Sequence, residues 1–292
     1  MIEVIRTEEG KPIFALHTAH TSYAMQVLPS GHIEHMHYGR RIHVESSDGL
    51  QEQHVFPPGD SCIYSPEYTS FTLDDMRLEI SSLGKGDTRE PLLELIHADG
   101  SRTSDFLYTS YEVNRGKEDL STLPSSYGTE EEVETLKIIL TDTAYQLHLS
   151  LFYHVYEAWD VITKHVILEN AGDTPIIISR LLSNQLDLEP GDYIYSTFNG
   201  AWTREMHRTD TPVSMTKLVN ASTFGVSSNA HKKTRQKNGG TATESISSTV
   251  GITMKQSNRT PTVKFDLYPA LIRIPSHGIW LRPHALRHRN RS

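Results

Sequence analysis

LHLSLFYHVYEAWDVITKHVILENAGDTPIII, residues 147 to 178, is where the backbone class of this chain can be read. Leu147, Leu149, Leu151, Tyr153 and Val155 recur at every second position, with His148, Ser150 and His154 between them. Successive side chains of a strand point to opposite faces, so this period of two predicts a strand with one apolar face turned to a core. Val161 to Leu168 predicts a second strand. Asn170, Ala171, Gly172, Asp173, Thr174 and Pro175 form a turn cluster, and Ile176, Ile177 and Ile178 open a third strand in what reads as an antiparallel meander. Outward from here the same signals recur. Tyr23 to Leu28, Ile33 to Tyr38 and Leu92 to Ile96 predict strands, divided by Pro29-Ser30-Gly31 and Ala98-Asp99-Gly100. Only Glu130 to Leu136 has a helical pattern. Many short strands punctuated by turns predict an all-β fold, a large antiparallel β-sandwich.

The charge is unevenly spread. Residues 1–230 carry 16 Lys and Arg against 34 Asp and Glu, whereas residues 231–292 carry 12 against 2. The chain therefore reads as an acidic body, 1–230, joined to a basic tail, 231–292. Such a split can mark a nucleic-acid arm, but the tail lacks clustered Lys/Arg and any reader motif, so no nucleic-acid partner is expected. Met1 to Gly10 includes Glu3, Arg6, Glu8 and Glu9, and no window approaches the roughly 18 apolar residues of a membrane span. With Cys62 as the only cysteine, an intramolecular disulfide is impossible. A cytoplasmic location and no membrane partner are the expectations.

Few residues suggest chemistry by type and spacing alone. His32, His35 and His37 lie together, and on a regular strand His35 and His37 share a face, as in the start of a metal site. No spaced acidic residue and downstream His complete such a site, so structural histidines, no metal and no cofactor are expected. Cys62 reads as an ordinary thiol. The chain contains no phosphate-binding glycine loop, nucleophile elbow or CxxC.

Four segments are more specific than a generic sandwich requires. They are SYAMQVLPSGHIEHMHYGRR (Ser22 to Arg41), SFTLDDMRLEISSLGKGDTREPLLEL (Ser70 to Leu95), DGSRTSDFLYTSYE (Asp99 to Glu112) and RLLSNQLDLEPGDYIYSTFNGAWTREMHR (Arg180 to Arg208). In order and spacing they resemble the N-terminal β-sandwich domain of the bacterial α-galactosidases (melibiases) of glycoside hydrolase family thirty-six, with GKGDTREP and GAWTREMH the most telling. Ile80 and Leu83 depart from the pattern, which has aromatics there. The resemblance implies a retaining glycosidase acting on terminal α-galactosyl units of melibiose- and raffinose-type sugars through two aspartates. That chemistry needs the two carboxylates about 5 Å apart. In the family both aspartates sit on a (β/α)₈ barrel after the sandwich, a fold of about 250 residues. Only 62 residues follow Ala230 and none resembles a barrel strand. The resemblance therefore implies a truncated α-galactosidase with no barrel and no catalytic residues in this chain, inactive by itself. The alternative is a stand-alone carbohydrate-binding or oligomerisation module.

The resemblance also suggests substrate-binding residues. Trp202 corresponds to a family Trp on a sandwich loop that reaches the barrel's pocket, and its ring would stack on a pyranose; otherwise it is a core Trp. Arg204 is a neighbouring candidate, against an ion pair with Glu205 or Asp210. Asp60, after Pro57-Pro58-Gly59, stands where one subunit of a homo-oligomer reaches toward another's pocket, against a solvated turn residue. Asp74, Asp75, Asp87 and Arg89 read as residues ordering the turn into Leu92 to Ile96. Family members continue after the segment matching Ser227-Ser228-Asn229 with a strand resembling FNLIYSGNHY. SISSTVGITM (Ser245 to Met254) can be encoded by the same nucleotides read one place earlier, and RHRNRS (Arg287 to Ser292) likewise shadows QTPEPV. Residues 231–292 thus read as an out-of-frame, poorly ordered tail.

Overall fold

The computed structural model describes residues 1–7, 10–47, 49–50, 62–68, 72–118, 126–182, 184–187, 193–201, 203–213, 218, 231–236, 243–246 and 270–273. The strands, in chain order, begin with β1 (Ile2–Arg6), β2 (Pro12–His17), β3 (Thr21–Val27), β4 (Ile33–Arg40) and β5 (Leu93–Ile96). They continue with β6 (Leu107–Arg115), β7 (Glu134–Asp142), β8 (Leu147–Tyr156), β9 (Val161–Asn170) and β10 (Ile177–Leu181). Last come β11 (Tyr193–Ala201), β12 (Arg204–Pro212), β13 (His231–Gln236), β14 (Thr243–Ile246) and β15 (Ala270–Arg273). A single 3₁₀ turn, Glu157–Trp159, is the one helical element among the described residues.

Every strand pair is antiparallel, and three sheets result. One has the order β1-β2-β3-β4, one is the pair β10-β5, and one has nine strands in the order β12-β11-β13-β14-β15-β9-β8-β7-β6. The core lies between the four-stranded and nine-stranded sheets. Phe14, Leu16, Tyr23 and Met25 from the first join Leu136, Ile138, Leu140, Leu147, Leu149, Leu151, Tyr153 and Val155 from the second in one cluster. The alternation of β8 thus does what its pattern predicts. β2 and β3 are buried along their whole length because a second cluster, including Ile13, Ala15, Ala24, Met36 and Val44, covers their other face.

Two expectations are corrected. The helical pattern at Glu130 to Leu136 resolves into a turn followed by β7, where Leu136, Ile138 and Leu140 alternate into the core. The meander also stops after β9. β10 leaves that sheet and pairs with β5, and the Leu182 N–H donates to the Leu92 carbonyl at 2.9 Å. The strands β13, β14 and β15 come from the residues that composition sets apart as a tail. β13 runs along β11 from Tyr193 opposite Gln236 to Phe198 opposite His231, and β15 runs along β9.

Candidate functional site

The segment GAWTREMH closes a tight hairpin. β11 and β12 pair from Ile194 opposite Pro212 to Ala201 opposite Arg204. The register shifts between Asn199 and Ala201, a bulge that re-aims the end of the strand. Thr203 has φ of 65°, a left-handed conformation that crowds a β-branched side chain. Such strain persists only where the surroundings impose it, and it gathers at functional sites. Midway along β12, Arg208 donates to both oxygens of Asp210, 2.7 Å each, and this pairing raises the guanidinium pKa. Asp210, a partner considered for Arg204, is thus engaged by Arg208. Trp202 lies outside the described residues, as do Asp60 and the side chain of Arg204, so the structure gives the frame of the tip and not its contacts.

The segment GKGDTREP is ordered by Arg89. Its guanidinium donates to Asp87 at 3.0 and 3.1 Å, to Asp187 at 3.3 Å, and to the carbonyls of Leu73 and Met76 at 2.7 and 2.8 Å. Burial works to lower the Arg89 pKa, but the hydrogen bond and charge of Asp87 raise it overall. Thr88 donates to Asp74 at 3.3 Å, while Asp75 is exposed. Gln185 ties this region to the fourth segment. Its carbonyl oxygen accepts from the Ser81 N–H and hydroxyl, and its amide donates to the Leu78 carbonyl and to Asp187. The specific residues of two distant segments therefore hold one another in place.

The sequence reading did not anticipate a charged centre in the core. The Glu79 carboxylate, with no exposed side-chain surface, accepts from Tyr153 at 2.6 Å, from Lys164 at 2.8 Å and from the Tyr23 hydroxyl, and the Nδ1 of His35 lies at 2.9 Å. Lys164 also donates to the Tyr23 oxygen at 3.0 Å and sits over the Tyr23 and Tyr153 rings, 5.2 and 4.9 Å from their centroids. Burial pushes the Glu79 carboxyl up, but the Lys164 charge and His35 overcome it and hold it well below the usual carboxylate range. Burial and Glu79 push both tyrosines well above theirs. The one available signal was Glu79 itself, an acid between Leu78 and Ile80 in an apolar stretch.

The three clustered histidines separate into three environments. A bulge opposite Ala24 and Met25 breaks the alternation of β4, so His35 and His37 do not behave as a same-face pair. His35 meets Glu79. His32 lies between Ser30 at 3.0 Å and Asp105 at 3.2 Å, and His37 Nε2 contacts the Arg40 carbonyl at 3.1 Å. No group of three potential metal ligands exists among the described residues.

Comparison with known proteins connects this architecture to a family. Residues 31–245 match the glycosyl hydrolase family 36 N-terminal domain. The bifunctional α-galactosidase/sucrose kinase AgaSK of Mediterraneibacter gnavus is 34% identical over 76% of this chain and 24% of its own length. α-Galactosidase AgaA of Geobacillus stearothermophilus is 32% identical over 66% of this chain and 26% of its own. The chain thus spans about a quarter of the length of these relatives. Among solved structures, the α-galactosidase from Lactobacillus brevis superposes with a TM-score of 0.79 at 27% identity, over 92% of this chain and 40% of that one. An AgaA variant in complex with raffinose superposes with a TM-score of 0.72 at 26% identity, over 89% and 38%. Strand content, paired specific segments and these similarities agree: the chain belongs to the glycosyl hydrolase family 36 N-terminal domain family.

Proposed function

We propose that this chain is the sandwich portion of an α-galactosidase acting on raffinose- and melibiose-type galactosides, and that it presents a sugar to a catalytic barrel without hydrolysing the glycosidic bond itself. The strained β11–β12 turn carries this reading. A bulged hairpin with a left-handed Thr203 at its end suits the presentation of a recognition residue; in this reading the neighbouring Trp202 stacks on a pyranose, Arg204 assists it, and Asp60 serves a neighbouring subunit's pocket in a homo-oligomer. A much longer relative, an AgaA variant of Geobacillus stearothermophilus, is known in complex with raffinose, which supports the choice of galactoside. Retaining hydrolysis needs two carboxylates about 5 Å apart across the glycosidic bond, and the resemblance supplies no such pair within this chain. Purified chain should release no nitrophenol from p-nitrophenyl α-galactoside above a buffer control. Turnover by clean protein would overturn the proposal.

We further propose that the family-like body ends near Ala230 and that residues 231–292 are read out of the family's frame. The change of charge at that point and the two shadowed strings support this. The family match itself runs to residue 245, and β13 pairs with β11 across the proposed boundary. Sequencing the encoding DNA tests it: a second frame encoding FNLIYSGNHY-like sequence is the expected result. The proposal places the chain in the cytoplasm; no helix among the described residues is long and apolar enough to cross a membrane.

A further inference from the structure

The corner between β8 and β9 presents an exposed tryptophan on a braced support. Trp159 ends the 3₁₀ turn Glu157–Trp159 and is 69% exposed, although a ring of this size is rarely left to water. Its loop is held from several sides. Asp160 adopts a left-handed conformation with φ of 51°, and its carboxylate accepts from the Thr18 hydroxyl and the His20 N–H, 2.8 Å each. The Ala19 N–H donates to the Glu157 carbonyl at 3.1 Å, and Arg41 donates to the Thr18 carbonyl at 2.7 Å. A second ring, Tyr127, is 81% exposed in the loop whose Ser126 accepts from the hydroxyl of Tyr156, the residue before this turn, at 2.9 Å. Gly128 belongs to the same support, because a Cβ there would meet Val133 Cγ2 at 2.1 Å.

We propose that this corner is a carbohydrate-binding platform, separate from the β11–β12 tip, on which Trp159 stacks against the apolar face of a pyranose of an oligosaccharide. The polarised C–H groups of that face are attracted to an aromatic π-surface, and the hydroxyls around its rim need hydrogen-bonding partners. His20, Glu157 and Arg41 carry such groups around the turn: His20 Nδ1 meets Asp160 at 2.5 Å, Glu157 lies 3.8 Å from Arg41, and all three keep substantial side-chain exposure with which to meet a sugar's rim. The support keeps the loop in place before binding, so little ordering cost accompanies it. A ring face presented at a single turn is small beside the roughly 800 Å² per partner of a stable protein interface. One ring face, by contrast, matches one sugar. The galactoside reading above determines only the choice of probe.

The chain has three tryptophans, so ¹⁵N-labelled protein should show three indole N–H signals that substitution can assign. Titration with stachyose should move the Trp159 signal saturably, and Trp159→Ala should weaken that component of binding by about tenfold, the scale of one lost stacking contact. Tyr127→Ala should weaken it less, with the far-UV circular dichroism of both variants unchanged. The Trp202 signal reports separately on the β11–β12 tip, so failure at one site is distinguishable from failure at the other. A Trp159 signal indifferent to stachyose, raffinose and galactose alike overturns the platform. So does a signal that responds only to protein concentration, which would mark the corner as a contact between copies of the chain.

Discussion

At Glu79 a fully buried carboxylate keeps its charge because four groups converge on it and one of them, Lys164, carries the opposite charge. Desolvation would otherwise neutralise it. Removing one member of such a pair strands the other, so Glu79→Gln should cost about 3–5 kcal/mol, seen as a lower urea midpoint. Glu79→Leu combined with Lys164→Met should cost less than the sum of the two single changes. His154 and His165 illustrate the opposite case. His154 Nε2 lies 3.1 Å from His165 Nδ1, Thr135 binds His154, and burial, with Lys117 and, for His154, the charge of His165 adding to it, pushes the rings down to about 2 and about 3. Each ring binds its proton more weakly folded than unfolded, so stability is retained above the ordinary value of 6.5 and falls as the pH drops below it. At pH 5 the loss should be on the order of 2 kcal/mol per ring. Buried His17 acts in the same direction, whereas the depressed Glu79 loses its contribution only below its ordinary 4.5. Substituting both His154 and His165 by Gln should therefore flatten the dependence of Tm on pH between about 5 and 6.5 without abolishing it, as thermal scans across that range would show.

Among the elements, the β11–β12 hairpin and the bulge of β4 depart from regular strand geometry with different consequences. The hairpin stores strain at Thr203, where a left-handed backbone costs about 1–2 kcal/mol for an L side chain. Thr203→Gly should remove most of that cost and, net of the added backbone entropy, stabilise the fold by about 1 kcal/mol. In a domain of this size Tm should rise by about 2–4 °C. If the strain serves to aim Trp202, the same variant should bind galactosides more weakly while being more stable. A gain in both would detach the turn from recognition. The bulge in β4 has an organising effect: Met36 reaches the second cluster while His35 turns to Glu79. β8, by contrast, keeps one unbroken register against β7 and β9, although at its end His154 and Tyr156 are buried as well. Leu149, fully buried between the sheets, should cost about 2–5 kcal/mol when cut back to Ala.

Across the whole molecule, the nine-stranded sheet depends on strands from the far end of the chain. β13, β14 and β15 bridge β11 to β9, and two of its pairings, β11 with β13 and β15 with β9, cross the boundary proposed near Ala230. If the sequence after that point is unselected, these pairings are weakly supported and their backbone is open to association. Limited trypsin digestion followed by mass spectrometry should then cut first among Lys232, Lys233, Arg235 and Lys237. First cuts confined to Lys255 and beyond would instead extend the body past β14. Local pattern was enough for much of the rest. Alternation in β8 foretold both a strand and its core face, because i and i+2 share a side whatever the partner, and four short segments carried the family. The role of Arg89 in ordering its loop was also legible, since acid and base stand two residues apart. Other features depended on which distant residues meet. Lys164 is 85 positions from Glu79, β10 chose β5 over its neighbour β9, and a single bulge redirected adjacent histidines. No local periodicity encodes such choices: they follow from the joint requirement that apolar faces be covered and every buried charge be matched, which only the assembled sheets satisfy.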